Sequence, residues 1–234
     1  MPYEFIIKDG VLTDYKPDPL VHQLVIPEGV ETISDDVFKD CQRITSVIFP
    51  KSLKDIGDSA FYECFRLLNV TFQEGLESIG ESCFYGCYRL TKLEIPNSVL
   101  DIEGGAFCQT GLNGLKLGNG IAAITEGCFA NTRLKSVDIP NSVIELEEGA
   151  FEFNYKLENI NIPDSVLFIG PRVFQYCKSL RSIHLPKKLV EICPDTFEGC
   201  ENLRIIADDC ENFMVEDGIL WNKDKTEKIF ELPK

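Results

Sequence analysis

The sequence predicts a repeat solenoid built mostly from β-strands with short helical turns. Three observations carry this prediction. A phenylalanine preceded by a small residue recurs every 22 or 23 residues, a proline recurs with the same period, and an Asp-Gly dipeptide between alternating stretches stands near each end. The phenylalanines are Phe38, Phe61, Phe84, Phe107, Phe129, Phe151, Phe174 and Phe197. Eight copies at one period indicate stacked supersecondary units.

Each repeat unit reads as a strand followed by a turn. In "LTKLEIP" (90–96) apolar and polar residues alternate, which is typical of a strand with one buried face. Pro96 ends the strand because proline has no N–H to donate to a ladder. The following "NSVLDIE" predicts a second short extended stretch, and "GAFCQT" predicts one helical turn with its phenylalanine inward. No unit can bury its own apolar face, so the units must stack.

The two ends of the chain carry near copies of another pattern, "FIIKDGVLTDY" (5–15) and "FMVEDGILWNK" (213–223). Each has two alternating stretches around Asp-Gly, a favoured two-residue hairpin turn. Because a solenoid has an open edge at each end, we interpret these hairpins as caps. The predicted domains are an N-terminal β-hairpin cap at 1–20, eight repeats at 21–207 and a C-terminal β-hairpin cap at 208–234.

The repeat resembles the BspA-like, or Treponema pallidum-type, leucine-rich repeats over about four fifths of the chain. The resemblance rests on the 23-residue period, on strand ends such as Ile95-Pro96, on the spacing from Ile56 to Phe61, and on a cysteine three residues after phenylalanine. It implies a right-handed leucine-rich-repeat solenoid of about eight 22–23-residue repeats with β-hairpin caps. It also implies a role in protein binding, since many members are bacterial or protist surface proteins proposed to bind host or matrix proteins.

Composition and charge exclude several classes of partner. The chain has 234 residues and a net charge of -15, and such an acidic surface repels nucleic acid and anionic lipid. No apolar run approaches the roughly 18 residues needed to span a bilayer, so we expect no membrane insertion. The first residues lack the basic leader and apolar core of a signal peptide. We therefore expect a cytoplasmic protein, unless the chain is a fragment of an exported one.

The ten cysteines fall mostly into two columns of the repeat. The slot three residues after phenylalanine holds Cys41, Cys64, Cys87, Thr110, Thr132, Asn154, Cys177 and Cys200. A metal or redox role does not tolerate Thr or Asn, whereas a small side chain contacting loop backbone can be any of the three. In the slot before phenylalanine, Cys83 and Cys128 alternate with Ala, Val and Thr as small buried residues. We expect free buried thiols, with Cys108, Cys193 and Cys210 the most exposed.

Nothing in the sequence indicates catalysis. The only two histidines, His22 and His184, stand in distant units, and no C-x-x-C, H-E-x-x-H, G-x-S-x-G or Walker pattern occurs. The stretch "GNGIAA" (118–123) imitates a dinucleotide fingerprint, but no helix of useful length follows it. We predict no enzyme, no cofactor and no metal site. An enzyme acting on glycans stays an alternative that would need a convergent polar pocket.

Two surfaces are candidates for binding. The last outward slot of the predicted sheet holds Val25, Ile48, Thr71, Glu94, Lys116, Asp138, Asn161 and His184. A broad, mixed face of this kind suits a protein or glycan partner better than a small molecule. A second column changes from charged to apolar and predicts a stripe of Leu100, Ala122, Ile144, Leu167, Phe168 and Val190. If exposed, this stripe predicts docking or self-association; partial burial of the second extended stretch is the other interpretation.

The best functional hypothesis is therefore a non-catalytic protein–protein or protein–glycan interaction module, of the bacterial cell-surface adhesin type. The alternative is an intracellular scaffold or regulatory protein that binds a cytosolic partner. The absent signal sequence and the free cysteines favour this alternative, because reduced thiols are typical of reducing compartments.

Overall fold

A computed structural model describes residues 4–231 of the chain, which divides into two compact units, residues 1–121 and 122–234. Each unit contains four of the eight repeat phenylalanines. The strands of the first unit are β1 (Glu4–Lys8), β2 (Val11–Lys16), β3 (Gln23–Val25), β4 (Thr32–Ile33), β5 (Ser46–Ile48), β6 (Asp55–Ile56), β7 (Asn69–Thr71), β8 (Ser78–Ile79), β9 (Lys92–Glu94), β10 (Asp101–Ile102) and β11 (Gly114–Lys116). Those of the second unit are β12 (Ala123–Ile124), β13 (Ser136–Asp138), β14 (Glu145–Leu146), β15 (Asn159–Asn161), β16 (Phe168–Ile169), β17 (Ser182–His184), β18 (Glu191–Ile192), β19 (Arg204–Ile206), β20 (Phe213–Glu216), β21 (Ile219–Asn222) and β22 (Lys228–Glu231).

The first unit is a solenoid. Each coil has two strands, and the two strands belong to different ladders. One sheet runs in the order β1-β2-β4-β6-β8-β10, and every pairing in it is parallel except the β1–β2 hairpin. The three-residue strands form a second set of parallel ladders, β3-β5-β7 and β9-β11. Equivalent residues of successive coils therefore lie side by side.

The second unit repeats this plan. Strands β12-β14-β16-β18 form one parallel sheet, and the pairs β13-β15 and β17-β19 form the other ladders. Strands β20, β21 and β22 then form a separate antiparallel sheet. The predicted repeat solenoid is thus confirmed in each unit. The predicted domain boundaries stay a prediction.

The core of each unit is a stack of the repeat phenylalanines, all of them fully buried. In the first unit the ring centroids of Phe38, Phe61, Phe84 and Phe107 are 4.9, 5.1 and 5.3 Å apart in turn. In the second unit the centroids of Phe129, Phe151, Phe174 and Phe197 are 5.8, 6.0 and 5.8 Å apart. These contacts are near-parallel stacks, which explains why the sequence keeps phenylalanine at this slot in every coil.

The segment around each phenylalanine is a run of hydrogen-bonded turns, and no helix occurs within residues 4–231. This corrects the expected helical turn. The N–H of Phe38 donates to the carbonyl of Ala60 in the next coil at 2.8 Å, and the N–H of Cys41 donates to the Phe38 carbonyl at 3.1 Å. Asp36 and Asp40 have positive φ angles of 58°. A helix cannot continue because its donors bond alternately within the coil and to the neighbouring coil.

Both ends cover the terminal phenylalanine of their unit with aromatic rings. Tyr15 lies 5.1 Å from Phe38 between ring centroids, and Phe230 lies 5.9 Å from Phe197. The Asp9-Gly10 turn has φ angles of 50° and 79°, and 217–218 has 51° and 78°. Two successive positive φ angles are those of a type I′ hairpin turn, so the Asp-Gly prediction is confirmed at both places.

Candidate functional site

We call the slot three residues after each repeat phenylalanine the cysteine column. Its side chains contact backbone carbonyls, as the sequence predicts. The Sγ atoms of Cys64, Cys87, Cys177 and Cys200 lie 3.1 to 3.3 Å from the carbonyl oxygen of a phenylalanine in the preceding coil. Asn154 takes the same place in its coil and donates from Nδ2 to the Phe129 and Phe151 carbonyls, both at 2.8 Å. All ten cysteines are thiols and not half-cystines. The role of these four cysteines and of Asn154 is to satisfy turn carbonyls inside the core.

Burial keeps these thiols protonated. Desolvation raises the pKa of Cys41 to about 11, with a smaller contribution from Asp40, and raises that of Cys200 to about 12. The pKa of Cys64 and of Cys87 is raised further, again mainly by burial. The thiolate is the reactive form of cysteine, so these side chains are poor nucleophiles at neutral pH.

One of the three cysteines expected to be most exposed is placed differently. Cys210 is buried, with 2% of its surface exposed, whereas Cys108 and Cys193 are half-buried. The Nζ of Lys223, just after β21, donates to the carbonyl of Cys210 at 2.9 Å. The C-terminal antiparallel sheet therefore folds back over this cysteine. The repeat pattern alone does not predict this contact between Lys223 and Cys210.

The candidate sheet face is exposed throughout. All eight predicted residues stand at the last position of a three-residue strand and are exposed, including Val25 at 47% and Ile48 at 42%. The register pairs Val25 with Ile48 and Ile48 with Thr71. In the second unit it pairs Asp138 with Asn161. The sequence therefore placed this face correctly; whether it binds a partner stays a prediction.

A cavity of about 560 Å³ interrupts this face in the first unit. It lies where no ladder joins β7 to β9, and Gly114 at its wall leaves space that a side chain would fill. Lys116 and Glu94 form an ion pair across neighbouring coils beside it. The polar and charged residues that line the cavity are Asn69, Thr71, Glu74, Lys92, Glu94 and Lys116.

The apolar stripe is largely exposed, which argues against the burial interpretation. In the first unit Leu100 is 54% exposed; in the second unit Ile144 and Val190 are 45% and 54% exposed. Ala122 is also exposed, whereas Leu167 is half-buried. The N–H groups of Ile144, Leu167 and Val190 each donate to the carbonyl of the preceding stripe residue at 2.8 Å. The second-unit stripe is therefore a ladder of adjacent side chains.

Phe168 belongs to a neighbouring column. It is half-buried in strand β16, where the register sets it between Glu145 and Glu191. Its ring is thus bordered by two exposed carboxylate side chains. It widens the apolar stripe at one coil only.

Sequence reasoning missed a surface aromatic ladder in the first unit. The rings of Tyr62 and Tyr85 stack at 4.9 Å between centroids, and those of Phe65 and Tyr88 stack at 5.5 Å. Lys39 places its Nζ 5.4 Å from the Tyr62 ring centroid. Aligning the two columns that follow the phenylalanine and the cysteine slots would have revealed these pairs, because each pair occupies one slot in consecutive repeats.

The two histidines belong to different units. His22 lies in the first unit and makes a 3.0 Å contact from Nδ1 to the carbonyl of Arg43, while exposed His184 lies in the second unit. Among residues 4–231 there is no group of three or more His, Cys, Asp or Glu side chains placed to hold a metal ion. The same residues include no helix that is long and apolar enough to cross a membrane.

Comparison with protein families matches the chain to the BspA type leucine-rich repeat region, in six copies, over residues 18–133 and 101–223. The chain belongs to the BspA-type leucine-rich repeat family. The predicted resemblance is therefore confirmed. Leucine-rich repeat proteins of this kind generally serve as non-catalytic interaction modules. A search of curated proteins gave no match.

Two solved structures share the fold of this BspA-type protein. A leucine-rich cell surface protein of Faecalibacterium prausnitzii is 23% identical, with 87% of this chain and 86% of that chain covered and a TM-score of 0.51. The leucine-rich repeat protein of T. pallidum is also 23% identical, with 76% and 88% covered and a TM-score of 0.53. The pneumococcal vaccine antigen PcpA is 18% identical, with 98% of this chain and 54% of that chain covered and a TM-score of 0.42.

Proposed function

We propose that this BspA-type chain is a non-catalytic interaction module that binds a protein partner through its three-residue-strand face. The observation that carries the proposal is a row of exposed residues at one register position, from Val25 to Lys116 in the first unit. Apolar, polar and charged side chains follow one another along this row. A mixed, shallow surface offers many weak contacts over a large area, which suits a macromolecule.

Site-specific photo-crosslinking tests this face. A photoreactive amino acid is placed at Thr71, in the middle of the face, and in a matched control at Asp224, which is exposed in the C-terminal sheet. We expect a discrete crosslinked protein from source cells with the Thr71 probe and not with the Asp224 probe. Equal crosslinking from both positions, or none from either, would contradict the proposal. A crosslinked polysaccharide would favour the protein–glycan form of the hypothesis.

The setting of this module is proposed to be the cell surface, in the manner of an adhesin. The support is the cell-surface description of the Faecalibacterium prausnitzii protein, which is similar in fold at 23% identity. The ten cysteine thiols support the competing proposal of an intracellular scaffold. Protease treatment of intact cells followed by peptide mass spectrometry separates them. Release of the peptide 93–107 from intact cells supports the surface setting, and its detection only after lysis supports the scaffold.

The apolar stripe of the second unit supports a further part of the proposal, self-association. Ile144 and Val190 are exposed large apolar residues two coils apart, joined in the ladder through Leu167. We expect Ile144→Glu to lower the mass measured by light scattering after size exclusion, with Asn202→Glu as the charge-matched control. Identical masses for both variants and the parent chain would contradict the proposed self-association.

A further inference from the structure

Three arginines occupy one slot in three consecutive coils of the first unit. Arg43, Arg66 and Arg89 each stand two residues after the cysteine slot, and all three are exposed. We name them the arginine column. The next coil is one residue shorter and lacks the slot, whereas the slot in the last three coils of the second unit holds Lys156, Ser179 and Asn202.

The arginine column is in register across the coils. The neighbouring side chains Phe65 and Tyr88, one residue before Arg66 and Arg89, stack at 5.5 Å between centroids. The N–H of Leu68 donates to the carbonyl of Thr45 at 2.8 Å on the other side. Successive arginines are therefore about one strand spacing, roughly 4.8 Å, apart at the backbone. Like charges at that spacing oppose each other and cost stability.

The arginine column takes no part in the ion pairs of the described residues. The chain has 38 acidic and 23 basic side chains, yet none of the ion pairs formed within residues 4–231 includes Arg43, Arg66 or Arg89. The Arg43 guanidinium donates to the Pro19 carbonyl at 3.1 Å, which holds it in place without neutralising it. A column of cations that forms none of these ion pairs in so acidic a protein is suited to an anionic ligand.

An apolar cavity of about 400 Å³ opens beside the first arginine. Arg43 and Lys39 line it together with Asp18 and Asp40, and its apolar wall is made by Tyr15, Pro17, Pro19, Val21 and Ile44. A cavity of this size and lining accepts one large apolar side chain. The first unit thus places an apolar cavity at one end of a row of three cations.

We infer that the arginine column and this cavity bind an extended acidic segment of a partner protein. One large apolar side chain of the segment enters the cavity, and its carboxylates pair with Arg43, Arg66 and Arg89. Alternate side chains of an extended peptide lie about 7 Å apart on one face, within reach of flexible guanidinium groups on adjacent coils. An anionic polysaccharide would supply the charges but no apolar side chain for the cavity. This inference rests on the proposed function, because it specifies the chemistry of the protein partner.

Fluorescence anisotropy with synthetic peptides tests the inference. The probe is a labelled peptide with one tryptophan followed by alternating glutamate and serine; matched probes carry glutamine for glutamate, or alanine for tryptophan. The test variant is Arg43→Gln, Arg66→Gln, Arg89→Gln on the full chain. Its control, Lys187→Gln, Lys188→Gln, Arg204→Gln, removes the same charge from three other exposed residues. Circular dichroism melting of both variants shows whether they stay folded.

We expect the acidic tryptophan peptide to bind the parent chain and the control alike, and the test variant at least about tenfold more weakly, since three ion pairs are lost at once. Both matched probes should bind the parent chain more weakly than the acidic tryptophan peptide does. Raising the KCl concentration from about 50 to 250 mM should lower the affinity of the acidic tryptophan peptide for the parent chain. Equal binding by the two variants overturns the inference. Heparin binding that depends on the arginines, with no effect of tryptophan, overturns it in favour of a polysaccharide. A persistent Thr71 crosslink alongside either negative result would leave the proposed function standing.

Discussion

Replacing Asn154 tests the idea that the cysteine column exists to satisfy turn carbonyls. Asn154 is fully buried. Its Nδ2 donates to the carbonyls of Phe129 and Phe151, both at 2.8 Å. Its Oδ1 accepts from the N–H of Thr132 at 3.1 Å and also from the Thr132 hydroxyl. The substitution Asn154→Ala removes all four contacts from the core of the second unit, while the alanine side chain adds no steric conflict.

The size of the effect follows from the number of buried groups that lose their partner. A buried backbone donor or acceptor without its hydrogen bond costs about 1–3 kcal/mol. Because water can reach some of the space left by the amide, we expect Asn154→Ala to lower the free energy of unfolding by roughly 3–5 kcal/mol. Asn154→Cys places the residue that fills this slot in other coils and retains one donor. We expect that variant to lose about half as much.

Urea unfolding followed by far-ultraviolet circular dichroism measures both variants against the parent chain. The comparison is valid where the dependence on urea concentration is unchanged, since a changed slope signals loss of two-state behaviour. A loss below about 1 kcal/mol for Asn154→Ala would refute the reasoning, because a single ordinary hydrogen bond contributes that much. A cysteine variant as unstable as the alanine variant would show that the slot does not select for donors.

Four further predictions concern stability. Phe84→Ala should cost about 3–5 kcal/mol in urea unfolding, and Phe84→Leu clearly less, because a leucine refills most of the cavity in the stack; equal losses would contradict the stacking account. Burial raises the pKa of Cys200 in the folded protein to about 12. The protonated thiol therefore contributes its full stabilisation of the fold below the pKa that the thiol has in the unfolded chain, and this contribution is lost as pH rises through the folded-state pKa. The urea midpoint should therefore fall above roughly pH 8.5, and fall less in Cys200→Thr; an identical fall would refute the assignment. Gly10→Val should destabilise by about 1 kcal/mol or more, because φ at Gly10 is 79°; an unchanged melting temperature would contradict this. Reversing Lys116 to Glu should change stability by less than about 1 kcal/mol, since its pair with Glu94 is exposed; a larger loss in urea would show that the pair is structural.

The columns of the repeat were predictable because a fixed period brings equivalent residues together. Any residue that shares a slot with Val25 had to be exposed, and any residue that shares a slot with Phe84 had to be buried, once the period was known. The same logic predicted that Cys87 packs rather than reacts, since Thr and Asn replace it elsewhere. The aromatic ladder of Tyr62 and Tyr85 was equally accessible to this reasoning and was overlooked.

The turns could not be assigned in this way. A stretch such as 34–41 has the polar start and apolar centre of a helical turn. Only the structure of the neighbouring coil reveals that the N–H of Phe38 donates to the carbonyl of Ala60. Hydrogen bonds between coils depend on the stacking distance and not on local propensity. For the same reason the burial of Cys210 depends on Lys223 and the antiparallel sheet that folds over it.

The sequence by itself determined the solenoid, the number of its repeats and which slots face the core, because repetition converts one local pattern into a long-range rule. Only the tertiary structure decided which charges are paired and where cavities open. The three arginines of the arginine column are visible in the sequence, but their absence from the ion pairs formed within residues 4–231 is not. Pairing and cavity formation depend on side chains from separate turns and caps that meet at the surface, and no period relates those residues to one another.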